Sequence, residues 1–148
     1  MGKVLKIGIS KNIGNKIQIQ SLSEVEAIAG KGLMNDKHFK DGSEVRCQIT
    51  LIEIENIDYY NKISKTFILS REFRRNIITK DIRLNELVGR EFLIGKVRVK
   101  AHDLCRPCKY LQESLKQKNL VKELLRKAGL RCEILTNGKI FIGDEIKC

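Results

Sequence analysis

The sequence has no tryptophan, one proline and few aromatic residues, which make up 5% of its 148 residues. A surface that stacks nucleic-acid bases needs exposed aromatic side chains between basic ones, and no stretch of this sequence has that pattern. No apolar run approaches the roughly 20 residues that a membrane-spanning helix needs. Residues 1–10 alternate between apolar and polar, unlike the apolar block of an export signal. We therefore expect a cytoplasmic protein with no membrane partner, and the scarcity of aromatic residues argues against a nucleic-acid partner.

The composition is that of one globular domain over residues 1–148, with 42% hydrophobic and 32% charged residues. The 29 lysines and arginines exceed the 18 acidic residues, giving a formal net charge of +11. This excess indicates an anionic partner, such as a phosphate-bearing small molecule, or a generally basic surface. The five cysteines are an odd number in a chain without an export signal, which predicts free thiols in a reducing compartment.

Hydrophobic periodicity predicts many short strands and few helices, a pattern typical of a barrel or a rolled sheet. A helix is predicted over 52–62 and another over 110–128, broken near Asn119 and ended by Gly129. Strands and turn residues predict three hairpins: Lys3–Ser10 with Lys16–Gln20, Glu91–Ile94 with Val97–Ala101 across Gly95, and Arg131–Leu135 with Lys139–Ile142 across Asn137-Gly138.

The cysteines at positions 105 and 108 carry the strongest chemical signal. They follow the predicted strand 97–101 and precede a helical pattern, so Cys108 is expected near the first helical turn. Amide groups there carry partial positive charge, and Arg106 and Lys109 add full charges, which predicts a lowered pKa for Cys108. Such a pair in an intracellular protein binds metal or performs redox chemistry more often than it packs as small buried hydrophobes.

Two common uses of such a pair meet objections here. A thioredoxin-like site implies a second proline facing the thiols, and Pro107 is the only proline. A structural zinc site needs four nitrogen or sulfur ligands, whereas Cys132, Cys148, His38 and His102 stand singly in the sequence. Cys132 is expected on an apolar strand face. Cys47 is likewise predicted to be an inert core residue, on a strand over 45–51.

A basic segment, Arg74-Arg75-Asn76, stands directly before a β-branched run. Alternate residues of a strand project to the same side, so Arg74 and Asn76 are predicted to project together. Guanidinium groups match phosphate bidentately, which makes the segment a candidate anion clamp.

Several motifs follow one another along nearly the whole chain: Gly30-Lys31-Gly32 with Asp36-Lys37-His38, Gln48-Ile49-Thr50-Leu51-Ile52, Arg74-Arg75-Asn76-Ile77-Ile78-Thr79, Gly89, Phe92, Ile94-Gly95, Cys105-Arg106-Pro107-Cys108, and Gly138 with Gly143-Asp144. This succession resembles the MOSC domain, the C-terminal module of molybdenum cofactor sulfurases, in a short stand-alone form. The resemblance implies a mainly β fold, a closed β-barrel similar to the pyruvate kinase barrel domain, with a few peripheral helices.

The resemblance also implies a molybdopterin-type cofactor and a cysteine near the pterin. Cys108 matches that cysteine, as a molybdenum ligand or a sulfur carrier, and Cys105 is an additional thiol of short members. Cofactor contacts are implied for matching residues and for neighbouring cations: Arg74, Asn76, Asp36 and His38, with Arg75 and Lys109 beside them. Asn35 stands where the family's Gly-Asp-x-His loop has glycine.

The hypothesis is a protein that binds the molybdenum cofactor in its sulfuration, carriage or biosynthesis. Its partners would be cofactor biosynthesis proteins or a sulfur or electron donor protein. The pyridoxal-phosphate domain of full sulfurases has no counterpart in 148 residues, so no pyridoxal phosphate is expected on this chain. Two alternatives stay open. One is a small molybdoenzyme that reduces N-hydroxylated compounds, and the other is a basic β-barrel that binds RNA.

Overall fold

The computed structural model describes residues 2–14, 16–42, 44–107 and 109–148. The described residues form eleven strands and three α-helices, together with short 3-10 helices. The strands span Gly2–Ile13 (β1), Lys16–Leu22 (β2), Glu24–Ile28 (β3), Gly32–Leu33 (β4), Ile49–Glu53 (β5), Ile77–Lys80 (β6), Glu91–Ile94 (β7), Val97–Leu104 (β8), Leu130–Ile134 (β9), Gly138–Phe141 (β10) and Glu145–Lys147 (β11). The helices span Ile54–Ser64 (α1), Lys109–Ser114 (α2) and Leu120–Glu123 (α3).

Seven of the strands in the described part of the chain close a barrel in the order β11-β7-β8-β9-β5-β6-β1, because β1 pairs again with β11. The closing pairs are Gly2 with Ile146 and Lys3 with Glu145. The neighbours β5 and β6 are parallel, and α1 lies between them in sequence. Strand β2 extends the sheet beyond β1, and β10, β3 and β4 form a second, smaller sheet. The predicted closed barrel with a few helices is confirmed.

Side-chain alternation explains where the core lies. Val97, Val99 and Ala101 of β8 have no exposed surface, and they pack in the main cluster with inward-facing residues of the other barrel strands. A second cluster forms outside the barrel, where Ile57 and Tyr60 of α1 pack with Ile78 of β6 and Leu120 of α3. The helix predicted over 52–62 therefore exists, as α1, and its apolar face covers the barrel.

The first two predicted hairpins are confirmed in the pairings of β1 with β2 and of β7 with β8. The third is wrong, because β9 pairs with β5 and β8 whereas β10 pairs with β3. The Asn137 side chain explains the difference: its Oδ1 accepts a hydrogen bond from the backbone N–H of Ala29, 2.8 Å away, just after β3. Asn137 thus directs the chain towards the smaller sheet and does not close a turn onto β9.

The predicted strand over 45–51 is wrong in its first half. Residues Val45–Cys47 form a 3-10 helix, and Cys47 is half-buried and not part of either core cluster. The buried Gln48 side chain accepts a hydrogen bond from the backbone N–H of Ile134, at 2.9 Å, where a strand partner would otherwise bind. The ladder with β9 begins one residue later, at Ile49.

The helix predicted over 110–128 consists of two short pieces, α2 and α3. The break near Asn119 is confirmed, since Asn119 is the residue before α3. Gly129 does not cap a helix, because α3 already ends at Glu123. It has a φ of +113°, and a Cβ atom there would lie 2.1 Å from the carbonyl oxygen of Leu51. Glycine is required at this position because the backbone has a positive φ and lies against β5 with no room for a Cβ atom.

None of the helices in the described ranges is long and apolar enough to span a bilayer.

Candidate functional site

A cavity of about 300 Å³ opens on the outer side of the barrel. It brings together the end of β1, the loop after β4, the start of β5, the segment before β6, the segment after β8, and β9. The lining residues are Ser10, Asp36, His38, Cys47, Gln48, Thr50, Arg74, Arg75, Asn76, Cys105, Arg106 and Arg131. Six of the residues predicted as site residues therefore meet at one place: Asp36, His38, Arg74, Arg75, Asn76 and Cys105.

The segment 74–76 lies in the cavity wall, although for a different reason from the predicted one. It precedes β6 and is not part of a strand, so strand alternation does not orient it. Arg74 has a φ of +59° and ends the 3-10 helix Ser70–Phe73. All three side chains line the cavity as a result, including that of Arg75, for which alternation predicted the opposite side.

Asn76 joins three parts of the cavity wall through hydrogen bonds. Its Oδ1 accepts from the backbone N–H and the hydroxyl of Thr50, at 3.0 and 3.2 Å. Its Nδ2 donates to the carbonyl oxygen of Gly8 at 3.1 Å and to Asp36 Oδ2 at 3.4 Å. The amide therefore holds β1, β5 and the loop at 36–38 in register, which makes Asn76 a positioning residue.

Asp36 fixes the adjoining loop in a similar way. Its Oδ2 accepts from the backbone N–H of Ser10 at 2.8 Å, and its Oδ1 accepts from the backbone N–H of His38 at 2.8 Å and lies 3.0 Å from His38 Nδ1. Burial raises the pKa of Asp36, but the hydrogen bonds from His38 and Ser10 outweigh it, so the pKa lies below its usual value. Asp36 is ionised at neutral pH and holds the His38 ring at the edge of the cavity.

Arg75 and Cys105 are anchored to the same short segment before β9. The Nε of Arg75 donates to the carbonyl oxygen of Ala128 at 2.9 Å, and the backbone N–H of Cys105 donates to that of Gly129 at 2.8 Å. The segment that lies against β5 at Gly129 therefore anchors both the guanidinium group and the thiol.

Arg131, on β9, contributes a second fixed guanidinium group. It donates to Asp103 Oδ2 at 2.7 Å. Its Nε is buried and has no hydrogen-bond partner among the described residues. A buried N–H without a partner costs free energy, and a bound acceptor would recover it.

Among the described residues, two thiols line this cavity. Cys105 is 6% exposed, and burial raises the pKa of its thiol, with the charges of Arg75 and Arg131 opposing that rise. The second is Cys47, which sequence reasoning placed in the core. The ladder starting at Ile49 turns Cys47 away from the barrel interior and into the cavity wall. Cys132, by contrast, lies fully buried in the main core cluster, as predicted.

Cys108, the predicted metal ligand, lies outside the described residues, and its role stays a prediction. Lys109 is exposed at the start of α2 and is not among the described residues that line the cavity. No group of three or more histidine, cysteine or acidic side chains in the described ranges could hold a metal ion by itself.

Sequence reasoning missed Cys47, Thr50 and Arg131 as members of the site. For Thr50 a signal existed, since Gln48 and Thr50 belong to one of the motifs on which the resemblance rests. For Arg131 there was none, because its place in the wall depends on the pairing of β9 with β5.

Comparisons with known proteins agree with this fold. The model of the MOSC domain family matches residues 35–147. The crystal structure of the YuaD protein from Bacillus subtilis superposes with a TM-score of 0.79 at 20% identity, over 99% of this chain and 94% of that one. YiiM from Geobacillus stearothermophilus gives 0.77 at 16% identity, over 99% and 74%, and YiiM from Escherichia coli gives 0.72 at 14%, over 98% and 68%. At such identities the likeness shows the fold alone. No curated protein matches the chain in sequence.

Proposed function

Since this chain belongs to the MOSC domain family, we propose that it binds a molybdenum cofactor of the molybdopterin type in the cavity at Arg74–Asn76. The protein would act in the sulfuration, carriage or biosynthesis of that cofactor. The observation that carries the proposal is the convergence of four arginines and a buried thiol, Cys105, on one cavity. The cavity thus joins groups suited to phosphate with a group suited to a soft metal or to sulfur.

The donor set fits such a cofactor. Guanidinium groups bind phosphate bidentately, and Arg74 and Arg75 stand side by side in the wall. The buried Nε of Arg131 offers a donor to an acceptor on the ligand. The volume of about 300 Å³ lies at the lower end of the range for ligand pockets. It suits one pterin-sized molecule.

The lining residues divide into binding and positioning roles. Arg74 and Arg75 would hold the phosphate. Asp36 and Asn76 use their hydrogen bonds within the protein, so they would shape the site and present His38 to the ligand. Lys109, exposed beside the cysteine pair, would add positive charge at the margin.

The thiols would carry the chemistry. In this proposal Cys108 is the molybdenum ligand or sulfur carrier, and Cys105 is the second thiol. The bound molybdenum would supply a redox-active centre that can accept a terminal sulfur. The chain would receive sulfur or electrons from a separate donor protein.

The test is the molybdenum and pterin content of the protein purified from cells with active cofactor synthesis. Wild type, Cys108→Ser and Cys105→Ser are compared, with Cys148→Ser as the control because Cys148 is exposed and does not line the cavity. We expect pterin in wild type and the control, and loss of molybdenum in Cys108→Ser.

Three results would change the proposal. Absence of pterin from all four proteins would contradict cofactor binding. Retained cofactor with steady oxidation of a reduced dye in the presence of an N-hydroxylated compound would favour the reductase over a carrier. Polynucleotide binding that falls steeply with salt and survives Cys108→Ser would favour the RNA-binding alternative.

A further inference from the structure

Cys47 and Cys105 are far apart in sequence, yet they line the same cavity. They are also close enough for a charge on one to act on the other, since Cys47 is among the groups that raise the pKa of Cys105. Neither thiol is in a disulfide. Within the part of the chain that the structure describes, the cavity therefore contains two reduced thiols from different elements, the 3-10 helix Val45–Cys47 and the segment after β8.

The two thiols differ in access. Cys105 is 6% exposed, whereas Cys47 is half-buried, on a turn whose neighbours Glu44 and Val45 are exposed. A donor protein that presents a persulfide can approach Cys47 more readily than Cys105. Thiol exchange depends on access as well as on the fraction of thiolate.

Charged side chains surround Cys105. The cations Arg75 and Arg131 favour an anion there, and the Asp103 carboxylate acts in the opposite direction. A persulfide ionises more readily than a thiol, so these two guanidinium groups would stabilise a persulfide anion on Cys105 after sulfur has arrived. The buried position also shields that persulfide from external thiols.

On the basis of the proposed function in cofactor sulfuration, we infer that Cys47 is the entry thiol of this site. It takes sulfane sulfur from a protein persulfide and passes it to Cys105. Cys105 then holds the sulfur beside the cofactor-binding arginines. Cys47 would thus be a reacting residue of the sulfur-transfer reaction.

Both steps conserve atoms and electrons. The Cys47 thiolate attacks the terminal sulfur of the donor persulfide, R–S–SH, forming the Cys47 persulfide and releasing the donor as its thiolate. The Cys105 thiolate then attacks the terminal sulfur of that persulfide. A new sulfur–sulfur bond forms at Cys105 and the one at Cys47 breaks. Cys47 leaves as thiolate and takes up the proton that Cys105 lost, so no external oxidant or reductant is consumed.

The experiment compares a bulky and a small sulfur donor on the reduced 148-residue protein. The bulky donor is a rhodanese loaded with one persulfide, and the small donor is tetrasulfide. Persulfides are trapped by alkylation at successive times and located by peptide mass spectrometry as a gain of about 32 Da. The proteins are wild type, Cys47→Ser, Cys105→Ser and Cys108→Ser, with Cys148→Ser as a matched loss of an exposed thiol.

With rhodanese, we expect wild type to carry the added sulfur first on Cys47 and then on Cys105. Cys47→Ser should load Cys105 at least about tenfold more slowly, and Cys105→Ser should keep the sulfur on Cys47. Tetrasulfide should load Cys105 equally well in wild type and Cys47→Ser, because it enters the cavity directly. That arm also shows that the variant keeps its cavity. The Cys148→Ser protein should behave as wild type.

Loading of Cys105 at the wild-type rate in Cys47→Ser would overturn the inference. So would a block in Cys108→Ser that is absent from Cys47→Ser, since Cys108 would then be the entry thiol. These readings do not depend on bound cofactor. Absence of pterin with the relay intact would contradict cofactor binding alone, and bound pterin without transfer through Cys47 would contradict the relay alone.

Discussion

At the scale of single residues, the shape of the site depends on the buried carboxylate of Asp36, which is hydrogen-bonded to other groups of the protein. Asp36 is 8% exposed and accepts hydrogen bonds from Ser10, His38 and Asn76. We expect Asp36→Asn to lower the free energy of unfolding at pH 7 by about 1–3 kcal/mol, because an amide nitrogen would face backbone N–H donors. Denaturant unfolding measures this. Asp41→Asn is the control, because the Asp41 side chain is 86% exposed and its ion pair with Lys31 lies at the surface.

The same carboxylate makes a pH-dependent contribution. The pKa of Asp36 in the folded protein lies below its usual 3.8, so its stabilising effect is present above that pH and is lost as pH falls through the folded-state pKa. The difference in unfolding free energy between wild type and Asp36→Asn should therefore be constant near neutrality and shrink below pH 3.8. A difference that grows towards acid pH would contradict the assigned hydrogen bonds.

A second prediction at this scale concerns the thiol of Cys105. Burial raises its pKa above 9.0 and Arg75 opposes the rise, so removal of that guanidinium group should raise the pKa further. We expect Arg75→Gln to shift the pH profile of Cys105 alkylation to higher pH and to slow the reaction at pH 8. Arg98→Gln, an exposed charge that pairs with Glu91, should leave the profile unchanged. Equal slowing in both variants would indicate an effect of net charge.

At the scale of elements, the most sensitive point is the close approach of Gly129 to β5. Any Cβ there would lie 2.1 Å from the carbonyl oxygen of Leu51. We expect Gly129→Ala to cost about 2–4 kcal/mol of stability, from backbone strain and displacement. It should also change the rate at which the Cys105 thiol is alkylated, because the backbone N–H of Cys105 donates a hydrogen bond to the carbonyl oxygen of Gly129. Gly143→Ala is the matched control. The φ of Gly143 is also positive, at +92°, but a Cβ atom at Gly143 would have no neighbouring atom within 4 Å. A loss of stability no greater than in that control would show that Gly129 and β5 can move apart at little cost.

The elements also show how far the sequence could be read. Alternation and the turn at Gly95 were enough for β7 and β8, because both strands pair with their sequence neighbour. The turn residues Asn137-Gly138 predicted a hairpin that does not form. The Asn137 side chain accepts a hydrogen bond from Ala29, which is distant in sequence, and β10 pairs with β3. The arginine segment and the loop at Asp36 could be recognised from motifs. Cys47 could not, since its place depends on where the ladder between β5 and β9 begins.

At the scale of the whole molecule, β11 closes the barrel between β1 and β7. Ile146 is 1% exposed and is paired with Gly2 on one side and Ile94 on the other. We expect Ile146→Ala to lower the free energy of unfolding by about 2–4 kcal/mol, because it leaves a gap where the ring closes. Ile142→Ala, at a position that is 49% exposed, should cost less than about 1 kcal/mol. Similar losses in both would mean that closure adds little to stability.

Net charge is also a property of the whole molecule. We propose, however, that only the arginines of the cavity bind the cofactor's phosphate. Of the net charge of +11, the arginines of the cavity are the ones proposed to hold the phosphate. A general basic surface would attract anions without regard to which arginine is removed. The two explanations differ when equal charge is removed from different places.

The most direct measurement is therefore the pterin content of two double variants purified from cells that make the cofactor. Arg74→Gln with Arg75→Gln removes two charges from the cavity, and Arg90→Gln with Arg98→Gln removes two exposed charges elsewhere. We expect at least about a tenfold loss of pterin in the cavity variant, because the hydrogen bonds from the two guanidinium groups to the phosphate are lost. The variant that lacks Arg90 and Arg98 should keep a pterin content near that of wild type. Equal retention in both variants would contradict a cofactor site at Arg74–Asn76.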